Sequence, residues 1–417
     1  MAQNPEAALL IHYYFPPIHS IGVLRNFYIA QAFQKRIKTI KVLTTSNRNV
    51  LPQNNMKGLD TFDVTELKTK DYRSKRKQTH FKEAQKEKWT IKFGRKLIDS
   101  YPFNVWVGEG GSSYIRDGIK QGIDFLSKNP SAIIYSSFRP YADIYIGSKL
   151  KSSFPNAKWV VDFRDLHVDP MYKNVFFPSY QRGVDKKLLK QADLITTVSD
   201  GLAKELNKSL GHVETIYNGI VSRPFEIEKF KKFTISYTGS LFGNSRNPKP
   251  FLRYLNNQIE KGKITKENLA IKYAGKDGSK FKELIRQYDF EGQYEGLGMI
   301  SHNKAKLLQQ QSHVNLLLTS VTKNHKGVLT GKLFEYIGSL TPTLAVITGG
   351  KDSEIENLLI ETGAGHVFYE SDNESVAFMN WYEAWKNNTP KVNDSTKIQD
   401  NYSWNKAVDK ILSNLDV

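Results

Sequence analysis

This sequence predicts an α/β protein of two Rossmann-like, doubly wound domains facing a central cleft, on three observations. At 417 residues the chain exceeds the roughly 250–300 residues over which one hydrophobic core keeps growing, so two domains are expected. Short apolar runs alternate with amphipathic stretches from end to end, the pattern of parallel strands joined by crossover helices. The alternation breaks at a charged connection after Asn218-Gly219 and then starts again.

In the first half, apolar runs at 8–14, 39–44, 132–136, 159–163 and 194–198 predict strands. A helix starts near Gly22, where Val23, Phe27 and Ala30 recur at i, i+4 and i+7. Further helices are predicted near 141–151 and 181–191, and Asp200 reads as the N-cap of another over 201–209. In the second half, strands are predicted at 234–237, 270–274, 314–318, 342–346 and 366–368. These limits place one domain at 1–221, carrying a basic insertion over 68–96, a second at 222–400, and a closing helix at 401–417.

Composition narrows the function. Hydrophobic content of 39% is ample for packed cores, and no apolar run approaches the ~18 residues of a bilayer span. The first residues lack the basic region and apolar core of a signal peptide. With no cysteine there is neither a disulfide framework nor a thiolate metal site, and a cytoplasmic protein is expected. A net charge of +18 calls for an anionic partner: nucleic acid, an anionic membrane, or a phosphorylated substrate. Residues 68–96 hold twelve basic side chains against three acidic ones, half of that net charge, interleaved with Tyr72, Phe81, Trp89 and Phe93. That mixture suits a membrane surface. It would also suit single-stranded nucleic acid, or a solvated surface insertion.

Ligands of doubly wound sheets bind beyond the carboxyl ends of the strands, so the post-strand turns are where chemistry is expected. The richest is Gly327-Val-Leu-Thr-Gly-Lys-Leu-Phe-Glu335-Tyr336. A glycine-containing loop that opens a helix aims backbone N–H groups and the positive end of the dipole at an anion. Thr330, Gly331, Lys332 and Leu333 form that entry, and Lys332 adds a positive charge. Glu335, one turn later, could accept hydrogen bonds from a ribose diol. The alternative is an ordinary strand–loop–helix joint with a solvated lysine. A Walker A loop fails, because the glycine interval is one residue short and Leu333 stands where Ser or Thr should bind magnesium. Gly239 and Gly275 close other post-strand turns. Arg246, after the flexible stretch at 243–245, could grip a diphosphate or stand as an exposed loop arginine.

In the first half, Gly22 opens a helix after the turn that carries His19, a candidate contact to a reacting group, while His12 reads as packed within its strand. Asp162 and Asp165 flank Arg164 at a strand end and could orient a sugar, serve as a base, or form an ion-paired terminus. Gly108-Glu-Gly-Gly-Ser-Ser113 reads as a hinge or covering loop. No Asp-x-Asp, His-Glu-x-x-His or Gly-x-Ser-x-Gly pattern is present, so neither a metal site nor a serine nucleophile is expected.

Taken together, the turn over 12–25, Val161-Asp-Phe-Arg-Asp165, Ala192-Asp-Leu-Ile-Thr-Thr-Val-Ser199, Ile216-Tyr-Asn-Gly219, Tyr237-Thr-Gly-Ser240 and Gly331-Lys-Leu-Phe-Glu-Tyr336 resemble GT-B glycosyltransferases. The match is to the family-four-like group of bacterial surface-polysaccharide assembly, and it runs over nearly the whole chain. The resemblance implies a nucleotide-sugar donor (UDP- or GDP-sugar) held mainly by the C-terminal domain. It implies a saccharide or lipid-linked saccharide acceptor held mainly by the N-terminal one, with a last helix that returns there. It further implies retention of anomeric configuration, with the leaving diphosphate itself assisting the acceptor proton; His19 and Arg164 are the candidate catalytic residues beside Asp165, and no metal cofactor is expected. Should the enzyme invert, Asp165 is the candidate base. The family pattern of two glutamates eight residues apart is broken: Glu335 matches the second, but Gly327 occupies the first. The expected setting is the inner face of a membrane, bound peripherally. The rival readings are a nucleotide-sugar epimerase of the same fold and a nucleic-acid-binding protein; the latter is disfavoured by the lack of any recognition-helix, zinc-finger or RNP pattern.

Overall fold

In the computed structural model, residues 5–18, 21–47, 53, 56–70, 89–170, 173–221, 227–243, 245–322 and 329–416 are described. The chain divides into two compact units, Met1–Gly219 with Trp404–Val417, and Ile220–Ser403.

The first unit is built on a seven-stranded sheet of β1 (Ala7–Ile11), β2 (Thr39–Thr45), β3 (Asp63–Leu67), β4 (Ile133–Phe138), β5 (Lys158–Phe163), β6 (Leu194–Thr197) and β7 (Glu214–Thr215), in the order β3-β2-β1-β4-β5-β6-β7. Every pairing is parallel. β1 and β4 are buried at every position, as expected for strands covered by helices on both faces. Successive side chains alternate between two cores: Leu9, Ile11, Ile134 and Val161 enter one, and Ala8, Leu10, Ile133 and Val160 the other. The helix Trp404–Ser413 closes the second core with Val408 and Ile411. Trp404 stacks on Tyr28 at 5.5 Å. A Cβ on Gly219 would lie 2.4 Å from the Trp404 ring, so the glycine of the Tyr-Asn-Gly turn makes room for that helix.

The second unit holds a six-stranded sheet of β8 (Phe233–Thr238), β9 (Leu269–Ala274), β10 (Tyr294–Gly296), β11 (Val314–Ser320), β12 (Thr343–Thr348) and β13 (Gly365–Tyr369), in the order β10-β9-β8-β11-β12-β13 and again parallel throughout. Its largest core packs Phe233, Ile235 and Tyr237 against Phe251, Tyr254, Phe281 and Phe378. Both sheets run outward in two directions from a central pair, β1/β4 and β8/β11. Those pairs are the topological switch points at which doubly wound sheets open a crevice.

Several sequence readings shift locally. The N-cap of the helix Asp200–Leu210 is Ser199, whose hydroxyl accepts from Leu202 N, rather than Asp200. The Gly108–Ser113 stretch is only in part a loop. Gly110, at φ 92, precedes a helix that starts at Gly111 and runs to Leu126. No helix among the described residues is long and apolar enough to cross a membrane.

Candidate active site

In the second unit, the carboxyl end of β8 and the start of the helix Gly331–Gly338 converge. Gly239 follows β8 with φ +146, and a Cβ there would come within 2.7 Å of Lys332 Cε. Glycine at this position therefore lets the lysine lie across the turn. Gly275 serves the neighbouring turn in a related way, since a Cβ would meet Gly239 O at 2.1 Å. Thr330 is the N-cap residue and makes no side-chain capping bond, and the amides of Gly331 and Lys332 have no partner among the described residues, which leaves them available to an outside acceptor. Gly331 is the first residue of the helix. Leu333 contributes no side chain to the opening, being fully buried, and its amide donates to Thr330 O at 3.0 Å.

Two cations gather here. Arg246 donates to Ser240 O at 3.2 Å and stacks on Phe242, 4.3 Å from the ring centroid. Lys332 lies 6.0 Å from the Tyr336 ring. Burial lowers the Lys332 ammonium from its ordinary range, Glu335 pulls it back up, and the Arg246 charge lowers it further. Among the described residues Lys332 makes no hydrogen bond. On the next turn Glu335 accepts from Gln309 Nε2, and its other oxygen lies 3.8 Å from His302 Nδ1.

Sequence reasoning missed the residues that hold this arrangement. Asp277 Oδ2 accepts from both Ser240 Oγ and Leu241 N at 2.7 Å. Although burial opposes it, these bonds keep the carboxyl below its usual range. Tyr273 donates its hydroxyl proton to Gly239 O at 2.8 Å. The Tyr336 hydroxyl lies within hydrogen-bond distance of Thr238 N, O and Oγ1, tying the helix to the end of β8. The buried Gln309 bonds both Thr238 Oγ1 and Glu335. Each contact joins residues far apart in sequence, so no local pattern signals it.

In the first unit, Asp162 is buried and takes a two-pronged ion pair from Arg25, at 2.9 Å from Nε and 2.8 Å from Nη2, plus a bond from Thr196 Oγ1 at 2.8 Å. Burial alone would raise its carboxyl; Arg25 and these bonds hold it below the ordinary range. Of the roles open to Asp162 in the sequence, the structure shows the ion-paired terminus. Arg164 spends its guanidinium on three backbone carbonyls, those of Gly22, Arg139 and Phe138. A Cβ at Gly22 would collide with Arg164 Nη1 at 2.4 Å. Asp165, by contrast, is exposed and borders a groove shared with Arg139 and Lys96. His12 stands just past β1, fully buried, with neither ring nitrogen hydrogen-bonded; burial and the Arg164 charge push it down to about 3. His19, Gly327 and residues 71–88 of the basic segment lie outside the described residues.

No protein-family model matches the chain, and no curated protein does. Solved structures do. A sucrose-phosphate synthase from Thermosynechococcus elongatus aligns with a TM-score of 0.55 at 12% identity over 97% of both chains. The pneumococcal O-GlcNAc transferase GtfA, solved with UDP and GlcNAc, aligns with a TM-score of 0.54 at 12% identity over 98% of both chains. WaaG, a glycosyltransferase involved in lipopolysaccharide biosynthesis, aligns with a TM-score of 0.53 at 12% identity over 97% of this chain and 99% of its own. The fold is thus the two-unit α/β architecture of GT-B glycosyltransferases.

Proposed function

We propose that the protein is a glycosyltransferase that moves a sugar from a UDP- or GDP-sugar to a saccharide or lipid-linked saccharide in surface-glycan assembly. The observation that carries this reading is the second unit's switch point. There Lys332, laid over Gly239, meets Arg246 at an uncapped helix entrance, with Glu335 one turn away. A diphosphate supplies the negative charge that this group of cations and amides lacks, and a ribose diol suits the carboxylate beside it. The GT-B fold and neighbours solved with UDP ligands support the same assignment.

In the reaction, the acceptor hydroxyl oxygen forms a bond to the anomeric carbon of the donor sugar. The bond from that carbon to the diphosphate oxygen breaks, and the diphosphate leaves with the electron pair and receives the acceptor proton. Negative charge grows on the diphosphate as this bond lengthens. Arg246, Lys332 and the helix amides are fixed where that charge appears, and such preorganised groups stabilise a transition state without reorganising. We further propose a retaining course, with Asp165 as the base only if the product is inverted. His19 and Arg164 are assigned to the reacting end, Arg164 through the backbone it holds rather than through a free guanidinium. Peripheral binding at the inner face of a membrane, through the basic and aromatic segment 68–96, brings a lipid-linked acceptor within reach.

Thermal denaturation with a panel of nucleoside diphosphates tests the assignment. UDP or GDP is expected to raise the melting temperature, because a ligand that binds only the native state stabilises it by mass action. The rise should persist in EDTA. If no nucleoside diphosphate moves the transition at millimolar concentration, the donor pocket is misassigned.

A further inference from the structure

Within the first unit, the carboxyl ends of β4 and β5 and the helix Trp89–Asp99 border a groove of about 680 Å³. That volume falls in the ~300–1,000 Å³ range of small-molecule sites, and strand ends beside a switch point are where doubly wound sheets bind ligands. Cations reach it from three separate stretches of chain: Lys92 and Lys96 from the helix, Arg139 directly after β4, and Lys173 beyond β5. Cations outnumber carboxylates along the wall. On the inner side Arg139 pairs with Asp99 at 3.4 Å. Burial raises the Asp99 carboxyl, while Arg139 draws it down. Lys96 is steadied over the Phe176 ring at 5.1 Å, and Phe176 in turn meets Phe93 at 5.0 Å. A solvated helix face would spread its lysines outward; here cations from separate segments line one concavity beside a pair of edge-to-face rings.

We propose that this groove binds a phosphate ester, so that the acceptor taken by the first unit carries a phosphate close to the saccharide that receives the new sugar. This rests on the transferase reading above. It adds the chemical class of the acceptor, an anionic glycan, and the residues that recognise it. Arg139 offers the planar fork that suits a phosphate. Lys92, Lys96 and Lys173 add mobile charge around it, and Phe93 and Phe176 give a sugar ring or lipid stem an apolar flank.

The experiment uses the full chain with UDP at saturating concentration, which occupies the donor site, and two phosphate sources. One arm titrates glucose 1-phosphate against glucose by calorimetry. The other measures co-sedimentation with phosphatidate-containing against phosphatidylcholine vesicles. Binding of either phosphate probe is expected, with glucose and neutral vesicles inert; the arm that responds tells whether the phosphate is soluble or lipid-borne. Lys92→Gln with Lys173→Gln, both exposed and so harmless to folding, should weaken that binding on the order of tenfold or more. Arg139→Gln should weaken it at least as much, with rescue by Arg139→Lys only partial. Binding to neither phosphate probe overturns the proposal, as do equal affinity for glucose and glucose 1-phosphate, and binding unchanged in both sets of variants. UDP stabilisation is read separately: its loss indicts the donor site, whereas its survival with the phosphate arms silent indicts this groove alone.

Discussion

Replacing Lys332 with methionine should move affinity and stability in opposite directions. The side chain is held across Gly239, with its Cε 2.7 Å from where a Cβ would be. It makes no hydrogen bond among the described residues, and burial and Arg246 both lower its ammonium. In the empty protein this cation is a burden that Glu335 only partly offsets. A methionine keeps the length and removes the charge, so the apo melting temperature should stay level or rise. Donor binding should suffer, because a charge-assisted hydrogen bond to a diphosphate is worth roughly 1.5–3 kcal/mol, about 10- to 150-fold in Kd. There is a pH signature as well. The free lysine has its proton affinity lowered, and a bound diphosphate restores it, so binding should take up protons at alkaline pH. UDP or GDP affinity of the wild type should then fall as pH rises through the lowered value, below the ordinary lysine range. Calorimetry in buffers of different ionisation enthalpy reads the uptake, and scanning fluorimetry reads apo stability. A Lys332→Met protein that melts well below wild type yet binds UDP and GDP unchanged would refute the reasoning, since Lys332 would then be a structural cation.

Four other outcomes are expected. Glu335→Ala and Arg246→Ala should each cost about 10- to 150-fold in donor affinity or kcat/KM and leave the fold intact; wild-type turnover in either would remove that residue from the site. Arg25→Ala strands the buried Asp162 and should cost ~3–5 kcal/mol in urea denaturation, so a loss under 1 kcal/mol would mean the pair is dispensable. Lys229 donates to Ser312 O at 2.6 Å and Thr341 Oγ1 at 2.9 Å, yet burial pulls it down to about 7. Between that value and ~10.4, its unfolded value, the unfolded chain holds the extra proton, so stability should rise with pH across this window, and Lys229→Met should flatten the rise. Finally, Lys75, Arg76 and Lys77 lie outside the described residues, but changing all three to Glu should release the protein from anionic vesicles while leaving nucleotide binding intact. Release should also follow added salt, and equal sedimentation with neutral vesicles would count against the electrostatic argument.

What was legible in the sequence was what local pattern encodes. β1 reads cleanly because a strand covered on both faces forms an unbroken apolar run, while β4 and β8, equally buried but carrying Ser and Thr, are legible through their β-branched and aromatic residues. The strands that escaped notice are marginal ones. β3, Asp-Val-Thr-Glu-Leu, is half exposed, while β7 and β10 have only two and three residues. All three lie at sheet edges, where one neighbour is missing and selection for apolar residues relaxes. The helix Gly111–Leu126 is hidden by its glycine-rich start, which resembles a loop, and Gly110 and Gly111, at φ 92 and 62, both take a conformation that side chains avoid. Ser199 took the capping role from Asp200 because both are good caps and only backbone geometry distinguishes them.

The site separates along the same line, and the two switch points show why. In both units a post-strand glycine is kept bare beneath a cation: Gly22 beneath Arg164, and Gly239 beneath Lys332. The glycines and the cations are visible in the sequence; what each cation faces is not. Arg164 finds three carbonyls of its own chain, so its charge goes to holding the turns after β1 and β4. Beside it Asp162 is consumed by Arg25, 137 residues away. Lys332 finds no such partner among the described residues, and Arg246 stands near enough to repel it. An arrangement that satisfies its charges within the chain belongs to the fold. One that leaves a buried lysine without a hydrogen-bond partner among the described residues, at an uncapped helix entrance, costs stability, and such a cost is expected where a site waits for a ligand. That criterion is why we propose the second unit's switch point as the donor site, whereas the inner residues of the first unit's switch point are a brace. In the first unit, the exposed Asp165 and the cationic groove on which it borders are the part we propose for the acceptor.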